Sequence, residues 1–117
     1  MTERMRKKRI ARLKKWVAAL RSGKYKQATG ALCVEKRYCC LGVAGKISNI
    51  SLSLKRVGEE DPYVRINAHY GLGENQDVLV HMNDRKRASF PRIASWIEKN
   101  LIKAKRPTGA PQEEEEW

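Results

Sequence analysis

A small single-domain α+β fold is what this 117-residue sequence predicts, with three to four helices and a short antiparallel β-hairpin or three-stranded sheet. Three observations point there. The segments near both ends repeat apolar residues at helical spacing; the stretch Ala31 to Ile47, ALCVEKRYCCLGVAGKI, is the most apolar in a very basic chain; and two β-prone runs inside it flank a charged pair. A chain of this length buries about two thirds of the surface its unfolded form exposes, so one core suffices. Hydrophobic content of 41% with 32% charged residues is globular composition, and with one Phe the core must lean on Leu, Ile, Val and three Trp. The domain is expected over residues 9–103, between a loose basic arm at 1–8 and a disordered tail at 104–117 that ends in an acidic run.

From Glu3 to Ser22 the pattern is helical. Ile10, Leu13, Val17 and Leu20 share one side with Trp16 at its margin, while Lys7, Lys8, Arg12, Lys14, Lys15 and Arg21 lie opposite. Gly23 follows as a cap. Arg6 and Arg9 would intrude on the apolar stripe, so the docked part is expected from Ile10 onward. Tyr25 to Gly30 reads as a polar connection. Ala31 to Val34 and Arg37 to Cys40 then pair around Glu35-Lys36 as a tight hairpin. Leu41-Gly42-Val43-Ala44 either extends the second strand or turns into a short helix, and the helix is the reading adopted. Between Ser48 and Arg56, Ile50, Leu52 and Leu54 alternate with Asn49, Ser51, Ser53 and Lys55, which suggests a half-buried third strand.

Asp61 as N-cap and Pro62 at the first helical position open the next helix, with Tyr63, Val64, Ile66 and Tyr70 as its contacts and Gly71 at its end. Val78 to Met82 is a short apolar run, Asn83 to Arg87 is polar, and Ser89 opens a helix in which Phe90, Ile93, Ala94, Ile97 and Leu101 recur at spacings of three and four. Short helix, turn and amphipathic helix give the outline of a helix-turn-helix. The residues expected to carry the core are Trp16, Leu20, Cys39, Cys40, Leu41, Phe90, Ile93 and Ile97. Asn83 and Asp84 read as turn or cap residues.

The charge is the strongest functional signal. Lys and Arg number 25 against 13 acidic residues, a formal +12, and the excess is uneven. Residues 1–24 hold ten basic residues and one acidic; residues 76–107 hold eight against three; residues 113–116 are all Glu. A field of this sign attracts polyanions, so nucleic acid is the first expected partner and an acidic protein surface the second. Lys7, Lys8, Lys14 and Lys15, together with Arg85, Lys86, Arg87 and Arg92, are the residues expected to neutralise phosphates. A Lys-rich helix face often means only a solvated one, but this density exceeds what solubility needs. The four Glu before Trp117 could occupy a cationic groove or fold back on the chain's own basic face.

The cysteines invite two chemical readings. Cys39 or Cys40 at a strand-to-helix junction could be a nucleophile, with Arg37 and the helix terminus stabilising a thiolate and His69 or His81 as base. Adjacent Cys in an apolar run are more often buried small hydrophobes. Zinc could draw on Cys33, Cys39, Cys40, His69 and His81, but no close ligand pair such as C-x-x-C is present, and no metal or other cofactor is expected. No phosphate-loop lysine follows the glycines, and no paired carboxylates stand at a fixed spacing. Three cysteines, two of them adjacent and none preceded by a secretory signal, suit the cytosol, and no apolar run approaches the length of about 20 residues that spanning a bilayer needs.

Trp16-x-x-Ala19-Leu20-Arg21-Ser22-Gly23-x-Tyr25-x-Gln27, then Tyr38-Cys39-Cys40-Leu41-Gly42-Val43, then Asn83-Asp84 and Ser89-Phe90-x-x-Ile93-Ala94-x-Trp96-Ile97-Glu98 resemble a family of small, uncharacterised tailed-bacteriophage proteins. The resemblance covers roughly residues 16–98, and the Cys-Cys-Leu-Gly block is its most specific piece. It implies a phage origin and action in the host cytoplasm, and it carries no activity. Members often have a Gly in the turn before the Ser-Phe pair, where this chain has Arg87-Ala88. The function expected is a non-enzymatic phage accessory protein that binds nucleic acid through its basic helices. The alternative is an inhibitor of a host nucleic-acid-processing protein, such as a polymerase or a CRISPR-type defence nuclease, and the third is a cysteine-dependent enzyme. No small-molecule substrate and no membrane partner is expected.

Overall fold

A computed structural model describes residues 2–53 and 60–103. Five α-helices and a small sheet follow one another as α1 (Glu3–Arg21), β1 (Lys26–Gln27), β2 (Cys33–Val34), β3 (Arg37–Tyr38), α2 (Cys40–Ile47), α3 (Pro62–Tyr70), α4 (Asn75–Asp84) and α5 (Phe90–Ile97), and a π-helical turn, Glu98–Ile102, continues α5. The fold is α+β. Helix α2 sits at its centre, apolar nearly all round, with Cys40, Leu41, Val43 and Ala44 fully buried. Around it close α1, α3 and α4, while α5 and the π turn lie chiefly along α1.

Helix α1 begins earlier than the apolar stripe suggests. Thr2 caps it, accepting the Met5 amide, and Glu3 lies in the first turn where a negative charge suits the helix dipole. Residues 3–8 are therefore helical, not a loose arm, though all are exposed. Arg9 resolves the clash expected of a cation in the stripe by turning onto α3. Its Nε donates to the Tyr70 carbonyl at 2.9 Å and an Nη to the Gly71 carbonyl at 3.1 Å, while Arg12 donates to the His69 carbonyl at 2.9 Å. Two guanidiniums thus satisfy the orphan carbonyls at the C-terminus of α3, where the dipole favours positive charge. Leu13, Trp16, Val17 and Leu20 fill the buried face of α1.

The hairpin pairs Val34 with Arg37 and Cys33 with Tyr38, antiparallel. Glu35 and Lys36 take φ values of 49° and 67°, as a two-residue turn whose twist matches its strands requires. The third strand is not the one expected. It is β1, Lys26–Gln27, which runs parallel to β3 from within the stretch read as a connection. Residues 48–53 form no strand, and residues 54–56 lie outside the described ones. The reason is at the end of α2: the amides of Ser48 and Ile50 both donate to the Gly45 carbonyl, and Asn49, at φ 58°, turns the chain left-handed. Backbone that closes a helix cannot also pair in a sheet. The alternation of Ile50 and Leu52 records instead a loop whose apolar side chains rest on the core. The tail at 104–117 also lies outside the described residues.

The Cys-Cys-Leu-Gly block has a packing rationale at every position. Cys39 is the N-cap of α2, its Sγ accepting the Gly42 amide at 3.4 Å, and its own amide donates to the Leu32 carbonyl of the hairpin at 3.2 Å. The Cys40 carbonyl accepts the Trp16 indole N–H at 2.9 Å in the core. Leu41 is buried, and at Gly42 a Cβ would run into the Leu32 carbonyl, so only glycine lets helix and hairpin approach this closely.

Asn83, expected in a turn, is fully buried at the end of α4. Its Oδ1 accepts from Gln27 Nε2 at 2.8 Å and from the Cys40 amide at 3.2 Å, while its Nδ2 donates to the Ala28 carbonyl at 2.8 Å and to Asp84 Oδ1 at 2.7 Å. Two donors face the oxygen and two acceptors face the nitrogen, which fixes the orientation of the amide. One side chain thereby joins the β1 region, the first turn of α2 and α4. Asn83→Ala would leave the Cys40 amide and the Ala28 carbonyl without their partner. The expected loss is about 3 kcal/mol of unfolding free energy in urea titration, and Asn83→Asp, the same shape with a charge beside Asp84, should lose a comparable amount.

Candidate nucleic-acid interface

Of the residues expected in the core, Trp16, Cys40, Leu41, Ile93 and Ile97 are fully buried and Leu20, Cys39 and Phe90 nearly so. All eight residues expected to meet phosphate, Lys7, Lys8, Lys14, Lys15, Arg85, Lys86, Arg87 and Arg92, are exposed. They form two sets. Lys7, Lys8, Lys14 and Lys15 lie on the outer face of α1, the helix that Arg9 and Arg12 anchor to α3. Arg85, Lys86 and Arg87 lie in the turn between α4 and α5, with Arg92 following in α5, and Gln27 holds that turn to the β1 end of the molecule by donating to the Ala88 carbonyl at 2.8 Å.

Among the described residues the one ion pair is Arg21 with Glu98, at 3.1 Å. There the arginine holds the Glu98 carboxyl below the usual carboxylate range, and the same guanidinium also reaches the Ser95 hydroxyl at 3.2 Å. The eight exposed cations have no acidic side chain within ion-pair distance among the described residues. Their charge faces outward.

The turn itself has an unusual backbone. The Arg85 and Lys86 amides both donate to the His81 carbonyl and the Ala88 amide to the Met82 carbonyl, which closes α4. Arg87 then takes φ 51°, a left-handed conformation that side chains other than Gly and Asn disfavour. Ser89 next caps α5 by accepting the Arg92 amide. A long basic side chain is kept here at a cost of about 1 kcal/mol. Arg87→Gly should therefore raise the unfolding free energy measured by urea titration by up to about 1 kcal/mol while weakening binding to any polyanion.

Beside this turn lies a groove of about 360 Å³ between α4 and α5. Val78, Met82 and Ala88 make its apolar wall, Trp96 stands on one side, and Lys86, Arg92 and His81 bring polar groups to it. Lys86 and Arg92 are expected from the sequence; Trp96, adjoining the apolar stripe of α5, carries no such mark there, yet it is half-buried and lines this groove. Trp96 and Met82 also pack on the core, so the wall is held in place.

The geometry gives little support to thiol chemistry. Burial pushes the Cys39 thiol up, and it pushes Cys40 up much further with the neighbouring Cys39 adding to it. A raised pKa opposes the thiolate that a nucleophile needs. His69 lies at the end of α3 with its ring edge-on to Tyr70 at 5.0 Å, and His81 on the groove side of α4. Among the described residues no three His, Cys, Asp or Glu side chains stand together as a metal site. Native protein should react with one equivalent of a thiol reagent, at exposed Cys33, and with three after unfolding. Rapid modification of a second thiol in the native state would revive the nucleophile reading.

These features define a small helix-centred α+β domain whose outer face is strongly cationic. The chain belongs to the family described as Domain of unknown function (DUF8296), whose match covers residues 6–70, from α1 through α3. No curated protein and no solved structure matches it. Among the described residues no helix is long and apolar enough to cross a membrane.

Proposed function

We propose that this chain is a non-enzymatic binding protein whose partner is nucleic acid, held mainly through phosphate by the outer face of α1 and by the α4–α5 turn. One observation carries the reading: the exposed Lys and Arg of both sets have no acidic side chain within ion-pair distance among the described residues, so their field is available to a polyanion. Contacts of this kind position a protein on the backbone without reading bases, so binding is largely independent of sequence. In a phage setting such a protein would act in the host cytoplasm as an accessory factor on DNA or RNA.

The salt dependence of affinity for random-sequence DNA tests this. Each phosphate neutralised contributes about −0.9 to the slope of log K against log salt, so several neutralised together make that slope steep. Replacing Lys7, Lys8, Lys14 and Lys15 with Ala should weaken binding and flatten the slope by about 0.9 for every phosphate no longer neutralised, and replacing Arg85, Lys86 and Arg87 should do so independently. An absence of binding at about 50 mM salt, where such interactions are strong, would overturn the proposal. Recovery of a stoichiometric host protein under that outcome would favour the inhibitor reading instead.

A further inference from the structure

We infer that the groove between α4 and α5 is a seat for an unstacked nucleobase of a single-stranded nucleic acid, with Trp96 as the stacking surface and Lys86 and Arg92 as the contacts for its flanking phosphates. The inference rests on the nucleic-acid reading above and narrows it to one form of the polymer. A nucleobase is a flat π-system joined to a phosphate, so a seat for it needs an aromatic face, an apolar wall and a cation within one small space. Those three are brought together here by two consecutive helices and the turn between them. Trp96 lies on α5, Val78 and Met82 on α4, and Lys86 in the turn that joins them.

The aromatic is already positioned. Trp96 is half-buried and packs against the core. A ring held this way loses little freedom when a base stacks on it. Val78 is 41% exposed, an apolar side chain that the protein's own packing leaves open beside Trp96. Arg85 and Arg87 extend the cationic rim past Lys86, so a strand whose base enters the groove meets positive charge where its next phosphates run.

Duplex DNA fits the same elements poorly. In a helix-turn-helix the second helix reads base edges with polar side chains from its first turns. Here the buried face of α5 is Phe90, Ile93, Ala94 and Ile97, and its outer face offers Pro91, Arg92 and Ser95, the last already accepting from Arg21. Within α5 that leaves Arg92 as the cation for readout, with no amide or carboxylate side chain beside it. A duplex keeps its bases stacked and can offer the groove only its phosphates, whereas a single strand can offer both.

The test uses the full chain with fluorescein-labelled oligothymidylate, oligouridylate and a random duplex of equal length, at one low salt concentration. The single strands should bind about tenfold more tightly than the duplex, and tryptophan emission should be quenched as they do. Trp96→Leu should lose about tenfold of single-strand affinity and leave duplex affinity unchanged. Val78→Glu, an exposed change that spares the core, should weaken single strands about fivefold more than duplex by setting a carboxylate against the strand. The thymidylate and uridylate arms show whether the strand is DNA or RNA, and tighter binding of either supports the seat. Equal affinity for duplex and single strands, or a Val78→Glu variant that binds both as the parent does, would overturn the seat while leaving phosphate binding intact. Failure of every probe to bind would overturn both.

Discussion

The Asn83 carboxamide is the interaction on which the remaining structure depends. It meets the first amide of α2, the carbonyl that follows β1, the side chain of Gln27 and the neighbouring Asp84, so four bonds of one buried group tie together elements far apart in sequence. A buried amide left partly unsatisfied costs more than it contributes when complete, so this arrangement selects one register of α4 against β1 and α2. Gln27 carries the constraint onward to the Ala88 carbonyl, which sets where the basic turn lies. The position of the candidate interface is thus a consequence of a polar network in the core.

Helix α1 is the second organising element, and it uses its charges in two ways. Arg9 and Arg12 direct their guanidiniums to the carbonyl end of α3, and Arg21 bridges to Glu98 and Ser95 beyond it on α5 and the π turn. These cations fasten neighbouring helices. Burial lowers the pKa of Arg9, with Arg6 adding to the effect, yet an arginine remains charged across the physiological range and so makes a dependable cap. Lys7, Lys8, Lys14 and Lys15 have no such partner among the described residues and stay on the outer face. Residues of the same sign on one helix therefore divide into structural and available cations, and available ones are what a polyanion can meet.

The buried cysteines illustrate how a conspicuous pattern can serve packing. Cys39 caps a helix with sulfur, Cys40 fills the space between α2, α4 and Trp16, and Gly42 lets the hairpin carbonyl of Leu32 lie against the helix. Burial that raises both thiols also links them to stability. Such groups contribute fully below their unfolded pKa near 9, and that contribution is lost as pH rises through the higher folded values.

By itself the sequence determined what depends on local chemistry. The N-cap and Pro opening of α3, its Gly71 end, the Ser89 cap of α5, the two-residue hairpin turn and the core stripe of α1 are legible because caps, turns and periodicity act within a few residues. The uneven net charge was legible for the same reason, since charge sums without reference to fold. Tertiary structure alone decided the rest. The parallel pairing of β1 with β3, the burial of Asn83 and the docking of Arg9 on α3 all join residues separated by many positions. A polar residue such as Asn83 carries no mark of whether it meets water or four buried partners. Its environment is made by elements that must first pack, and only the packed chain supplies them.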